Sequence, residues 1–164
     1  MEDWKATTGP EGSEKFMDIA YARNPGPWKN NKILLLDPDE AIQMLYRDEL
    51  GEEGYEVIPL TETGQVMQYI EIHQPSLMVM EAGLYGHNGL RLLQDIRNTY
   101  PELPVILCTA DPSFKMAPTA HAADDVILKG MSVSELKQSV KNLLEFKTLV
   151  IAGRSSYTIG DRPT

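Results

Sequence analysis

Pro75-Ser-Leu-Met-Val-Met-Glu81-Ala-Gly-Leu-Tyr85-Gly-His-Asn-Gly89 is the stretch whose reading decides the fold. Its apolar run, Leu77 to Met80, shows no polar alternation and stops at a carboxylate, Glu81. A run of this kind reads as a parallel strand buried on both faces. A Gly-rich turn follows, and the spacing of Leu90, Leu93 and Ile96 predicts a helix from about Asn88 to Tyr100. The residue that ends such a strand lies at the carboxyl edge of the sheet, where open α/β folds place their sites. Alone, Glu81 reads first as a solvated strand end and second as the centre of a site.

Three further runs end in the same manner and change that order. Lys32-Ile-Leu-Leu-Leu36 stops at Asp37, Pro104-Val-Ile-Leu-Cys108 at Thr109, and Val126-Ile-Leu128 at Lys129. Neighbouring parallel strands bring their carboxyl ends side by side, so two acids, a hydroxyl and an ammonium converge on one patch.

Between these strands the pattern is helical. Acids at the start of Glu40–Glu53 suit the positive end of a helix dipole, and Ile42, Leu45, Tyr46 and Leu50 form its apolar side. After Gly54 a second strand, Tyr55 to Leu60, leads into a helix over residues 62–73 with Val66, Met67 and Ile70 on one face. The segment Asp111 to Ala123 contains Pro112 and Pro118, so any helix there is short or broken. Asp125 to Leu128 is a fifth strand, and Ser132 with Glu135 forms a capping box for a last helix. Leu136, Val140, Leu143 and Leu144 line that helix to about Phe146, after which Leu149 to Ala152 either prolongs it or forms an extra strand. Five alternations of strand and helix make an α/β domain with a parallel sheet over residues 31–147. Residues 1–30 are read as a flexible N-terminal extension rich in Gly and Pro, holding Trp4 and Trp28 and one candidate docking helix, Phe16 to Tyr21. Residues 148–164 are read as a C-terminal extension.

Bulk properties narrow the function. The 164 residues suffice for one domain with a full core. A net charge of -9 speaks against a nucleic-acid footprint. The one cysteine, Cys108, falls inside a strand and reads as a buried reduced thiol. No apolar run approaches the about 20 residues of a membrane span, and the first residues do not form a secretory signal. A cytoplasmic location is the expectation. His73 and His121 read as surface residues, His87 as a loop residue with no base beside it, and no grouping has metal-site spacing.

Asp37 after the first strand, Gly86 and Gly89 after the third, Thr109 after the fourth and Lys129 after the fifth, with Asp124-Asp125 before the fifth strand and Pro75 before the third, resemble the receiver domains of bacterial two-component response regulators. The resemblance implies a flavodoxin-like, doubly wound five-stranded sheet of order 2-1-3-4-5, with a shortened or broken fourth helix.

The departures from the family pattern are as informative. Receivers carry a phosphorylatable aspartate after the third strand; here the phosphoacceptor-equivalent is Glu81. Receivers hold Mg²⁺ with two adjacent acids after the first strand; here the acidic pocket reads Asp37, Pro38, Asp39, and proline offers no side-chain oxygen. Of the switch-equivalent positions, Thr109 and Lys129 fit, while Val126 stands where an aromatic is usual and Gly130 where a proline usually follows the lysine. The resemblance therefore implies a pseudo-receiver that is not an enzyme, with Mg²⁺ binding absent or weak through Asp37, Glu81 and Gly83. Its expected partner is a protein, engaged through Asp111 to Ala123 and the last helix, with a homodimer left open. A Glu81–Lys129 ion pair, with Thr109 donating a hydrogen bond, either imitates an activated site or is a vestige. Two alternatives are an active receiver phosphorylated on Glu81 with a weak Mg²⁺ site, and a small flavin-binding protein. The second is disfavoured because Asp37-Pro-Asp-Glu40 would repel a phosphate.

Overall fold

The computed structural model describes residues 31–84, 89–130 and 133–155, with Thr119 and residues 146–155 described by backbone alone. In chain order the elements are β1 (Lys32–Leu36), α1 (Glu40–Glu52), β2 (Glu56–Leu60), α2 (Val66–His73), β3 (Leu77–Glu81), α3 (Gly89–Thr99), β4 (Val105–Thr109), β5 (Asp125–Leu128) and α4 (Val133–Ser155). The strands form one parallel sheet of order β2-β1-β3-β4-β5, as the resemblance implies.

Period-two alternation divides the central strands between two cores. Leu34, Leu36, Met78, Met80, Val105 and Leu107 face α2 and α3, meeting Val66, Ile70, Leu93 and Ile96. Ile33, Leu35, Leu77, Val79, Ile106 and Cys108 face α1 and α4, meeting Tyr46, Leu50, Leu136 and Val140. Every residue of β3 and β4 is buried, which is why their sequences carry no polar alternation. Of the apolar side assigned to α1, Tyr46 and Leu50 are buried but Leu45 is exposed, because the helix turns only a narrow stripe to the sheet.

Residues 62–73 begin as a 3-10 turn, Thr63–Gln65, before α2 proper. The expected broken helix after β4 is two consecutive 3-10 turns, Pro112–Met116 and Pro118–Ala122. Pro118 excludes the helical region for its predecessor, and Ala117 accordingly sits extended at φ -70 and ψ 128. The end of this segment is nonetheless fastened. The Arg97 guanidinium donates to the carbonyls of Ala122 and Leu103, both at 2.5 Å, and pairs with Asp124, which also accepts the Val105 N–H at 2.7 Å.

α4 does not stop near Phe146; it runs unbroken to Ser155, past the boundary drawn at residue 147, so Leu149 to Ala152 prolongs the helix. His73 is half-buried, not a free surface residue, its ring tilted against Tyr69 at 5.2 Å between centroids. His121 is exposed. The readings placed on residues 1–30, Tyr85, Gly86, His87, Asn88 and Ser132 lie outside the described residues. Among the described residues, no helix is long and apolar enough to cross a membrane.

Candidate functional site

The site is built at the carboxyl edge of the sheet by the ends of β1, β3, β4 and β5. Asp37 follows β1, and its backbone is held by a bond from its N–H to the Leu60 carbonyl at 3.1 Å. The Gln43 amide, from the first turn of α1, donates to the carbonyls of Asp37 at 2.6 Å and Leu60 at 3.0 Å. Glu81 is the last residue of β3, Thr109 the last of β4, and Lys129 follows β5. Both acids are buried, Asp37 at 1% and Glu81 at 8% exposure, so their charges require partners.

Lys129 supplies them. Its ammonium lies 2.5 Å from Asp37 Oδ2 and forms an ion pair with Glu81 Oε2. The remaining oxygens are taken by backbone: Asp37 Oδ1 accepts the Asp39 N–H at 2.9 Å, and Glu81 Oε1 accepts the Gly83 N–H at 2.7 Å. Each of the four carboxylate oxygens thus has a donor from the chain itself. Burial draws the Lys129 pKa down, but its hydrogen bonds to Asp37 and Glu81 and their charges outweigh this and hold it above the ordinary value. The ammonium is fixed in its charged form.

The expected Glu81–Lys129 pair is formed, and Asp37 shares it. Thr109 corrects the expectation: among the described residues its hydroxyl accepts the Asp111 N–H at 3.2 Å and does not donate to Glu81. That acceptance opens the turn into the first 3-10 segment. Asp39 caps α1, accepting the N–H groups of Ala41 at 2.8 Å and Ile42 at 3.4 Å, and is exposed. Pro38 lies between the two acids and offers no oxygen. Val126 packs half-buried against the α2–α3 core. Gly130, just after the lysine, has φ +85, in the left-handed region.

Two residues absent from the sequence reading of the site lie beneath it. The Tyr46 phenol is buried beside the Cys108 thiol. Burial pushes the phenol well above its ordinary pKa, and the charges of Cys108, Asp37 and Glu81 act in the same direction. Burial also pushes the Cys108 thiol up to about 12, against the lowering effect of Lys129. Their signal was hidden, because a tyrosine on a helix face and a cysteine in a strand both read as core.

Gly83 and Gly89 shape the loop. A Cβ on Gly83 would lie 3.4 Å from Glu81 Oε1 and 3.9 Å from Phe114, so the first 3-10 turn comes up against the site. A Cβ on Gly89 would meet the Ala82 carbonyl oxygen at 2.4 Å, which only glycine avoids.

The donor set does not fit a divalent cation. Mg²⁺ requires near-octahedral oxygen coordination. Here two carboxylates are already bridged by an ammonium, Pro38 contributes nothing, and Asp39 is spent on a helix cap. Among the described residues, no group of three or more His, Cys, Asp or Glu converges on a metal position.

A family profile described as the response regulator receiver domain matches residues 33–141. The chain is 30% identical over 117 residues to the alkaline phosphatase synthesis transcriptional regulatory protein PhoP of Bacillus subtilis, covering 70% of this chain and 49% of that protein. It is 31% identical over 118 residues to the phosphate regulon transcriptional regulatory protein PhoB of Rhizobium meliloti, covering 69% and 52%. The chain spans about half the length of the curated relatives it matches. Among solved structures it resembles the response regulator TrrA of Thermotoga maritima, crystallised in complex with Mg²⁺-BeF. The TM-score is 0.65 at 28% identity, covering 68% of this chain and 97% of that one. A CheY-like receiver domain protein of Methanospirillum hungatei gives a TM-score of 0.68 at 26% identity, covering 73% and 98%.

Proposed function

Because the chain belongs to the response regulator receiver domain family, we propose that it is a receiver in which a permanent internal ion pair has replaced the phosphorylation cycle. It acts as a protein-interaction module in two-component signalling and has no catalytic activity of its own. The observation that carries this reading is the engagement of all four oxygens of Asp37 and Glu81 by Lys129, Asp39 and Gly83. A carboxylate that attacks phosphorus must turn a lone pair to it instead of to a bound ammonium, and phosphoryl transfer relies on a metal ion to neutralise the developing charge. Glu81 has Lys129 in front of it, and Pro38 withholds a ligand that the metal would need.

The partner surface on this reading is the segment Asp111 to Ala123 together with α4. Met116 is 83% exposed on the first 3-10 turn, with Lys115 exposed beside it. An apolar side chain presented on a short turn suits a protein groove, and the chain's net charge of -9 disfavours nucleic acid.

The test is intact-mass analysis after incubation with acetyl phosphate and Mg²⁺. No phosphoryl mass is expected. An acid-labile gain mapping to Glu81 would overturn the proposal in favour of an active receiver that uses glutamate.

A further inference from the structure

Glu81 is held by two groups of different kinds. Lys129 takes Oε2 by charge, and the Gly83 N–H takes Oε1 at 2.7 Å. The second bond comes from the chain two residues on, so it lasts only while the turn Ala82-Gly83-Leu84 keeps its shape. Ala82 and Leu84 are buried, whereas Gly83 between them is exposed. Gly83 has no side chain by which the core could fix it, so its N–H must be held in place from outside.

The register of the sheet brings a support to it. Glu81 stands opposite Cys108, and the Ala82 N–H donates to the Cys108 carbonyl at 3.2 Å. The chains leaving β3 and β4 therefore start side by side. After β4, the Asp111 N–H donates to the Thr109 hydroxyl at 3.2 Å, and the Asp111 carboxylate caps the turn Pro112–Met116 by accepting the Ser113 N–H at 2.8 Å. The Phe114 N–H donates to the Asp111 carbonyl, and the Phe114 carbonyl accepts the Ala117 N–H, both at 3.2 Å. The backbone of Phe114 is thus fixed on both sides. Its ring is half-buried against the core that also takes Ala82 and Leu84. Among the described residues, it is the one side chain from another element within 4 Å of the place where a Gly83 side chain would begin, at 3.9 Å.

We propose that Phe114 is the positioning residue for Glu81: its ring braces the Gly83 turn, and the braced N–H keeps Oε1 from swinging the carboxylate away from Lys129. A 3-10 helix has three residues per turn, so residues two apart point to different sides. Phe114 points inward while Met116 is 83% exposed. The turn assigned to the partner surface therefore carries the brace on its inner side, and a partner that grips Met116 acts on Glu81 through it. This deepens the reading of a permanent ion pair, on which its consequence rests. A phosphoryl gain on Glu81 would end that reading and leave the brace standing, because the two are followed by different signals.

Amide NMR of the full chain tests the brace, with Phe114→Ala and the conservative Phe114→Leu set against wild type. In Phe114→Ala the Gly83 amide proton should move upfield, as a bond to a carboxylate is lost, and should exchange with solvent about tenfold faster. The Asp39 amide, bonded to Asp37 in the same site, should keep its shift and its exchange rate. Phe114→Leu, which keeps an apolar side chain against the turn, should return the Gly83 signal close to its wild-type position. An unmoved Gly83 amide in Phe114→Ala would overturn the proposal. So would an equal change at Gly83 and Asp39, which marks a general loosening of the site, or a Gly83 signal in Phe114→Leu that stays where Phe114→Ala leaves it.

Discussion

Removing the Lys129 ammonium would leave Asp37 and Glu81 buried against each other without a counter-charge. A buried pair broken on one side costs about 3 kcal/mol. Lys129→Ala is therefore expected to lower stability by that order in denaturant titration, while Glu81→Gln, which keeps an acceptor for the Gly83 N–H, should cost about 1 kcal/mol. Equal effects would show that the carboxylates are not coupled through the lysine. The contribution has a definite pH dependence. The Lys129 pKa is raised in the fold, so its stabilisation is complete below the ordinary lysine value of 10.5 and is lost as pH climbs through the folded value. The stability gap between wild type and Lys129→Ala should stay flat across neutral pH and narrow in strong alkali. Cys108, with its thiol pushed up to about 12 and its side chain buried, should resist iodoacetamide at pH 8 until the protein is unfolded. At this scale the sequence was legible wherever a residue ended a strand. It was blind to the Lys129–Asp37 contact, which closes across the width of β1, β3, β4 and β5, and to the Thr109 hydroxyl, whose direction depends on the turn after it.

Elements were easier to read than contacts. The central strands announce themselves because burial on both faces leaves an unbroken apolar run up to the polar residue that ends each one. The irregular segment after β4 announces itself because two prolines cannot share one helix. What the sequence could not give was how that segment is held. Arg97 lies outside the apolar stripe Leu90, Leu93 and Ile96 by which its helix is read, yet it ties Ala122, Leu103 and Asp124 together. Arg97→Ala should leave those acceptors short of donors at a local cost of about 1–3 kcal/mol. The expected result is faster proteolysis and amide exchange in residues 111–124, with β1 and β3 unaffected. Uniform loosening of the whole sheet would contradict a local role. Gly89→Ala tests the junction of β3 and α3. With the Ala82 carbonyl 2.4 Å from any Cβ, the helix must shift away from the strand, and a loss of about 1–3 kcal/mol is expected.

For the whole molecule, the sheet order, the two cores and the convergence of four strand ends make a receiver scaffold, and the residues at its edge, Glu81, Pro38 and Gly130, are where it departs from the family pattern. On the proposed reading, Glu81→Asp alone should not confer phosphorylation by acetyl phosphate, because Pro38 still withholds an oxygen. Glu81→Asp with Pro38→Asp should confer a measurable acid-labile phosphoryl mass and sub-millimolar Mg²⁺ binding. A folded double variant that does neither would place the loss elsewhere in the loop. Gly130 limits how far such repair can go. Its φ of +85 lies on the opposite side of the backbone map from the about -65° that a proline ring imposes. A single exchange to proline there would have to re-lay the chain leaving the lysine before it could be accommodated. The departure at Glu81 can be undone by a side chain alone and the one at Pro38 by releasing a ring-fixed φ, whereas the one at Gly130 needs a left-handed main chain to change its path. Any route back to the family pattern must therefore take Gly130 last, after the neighbouring loop has changed, or not at all.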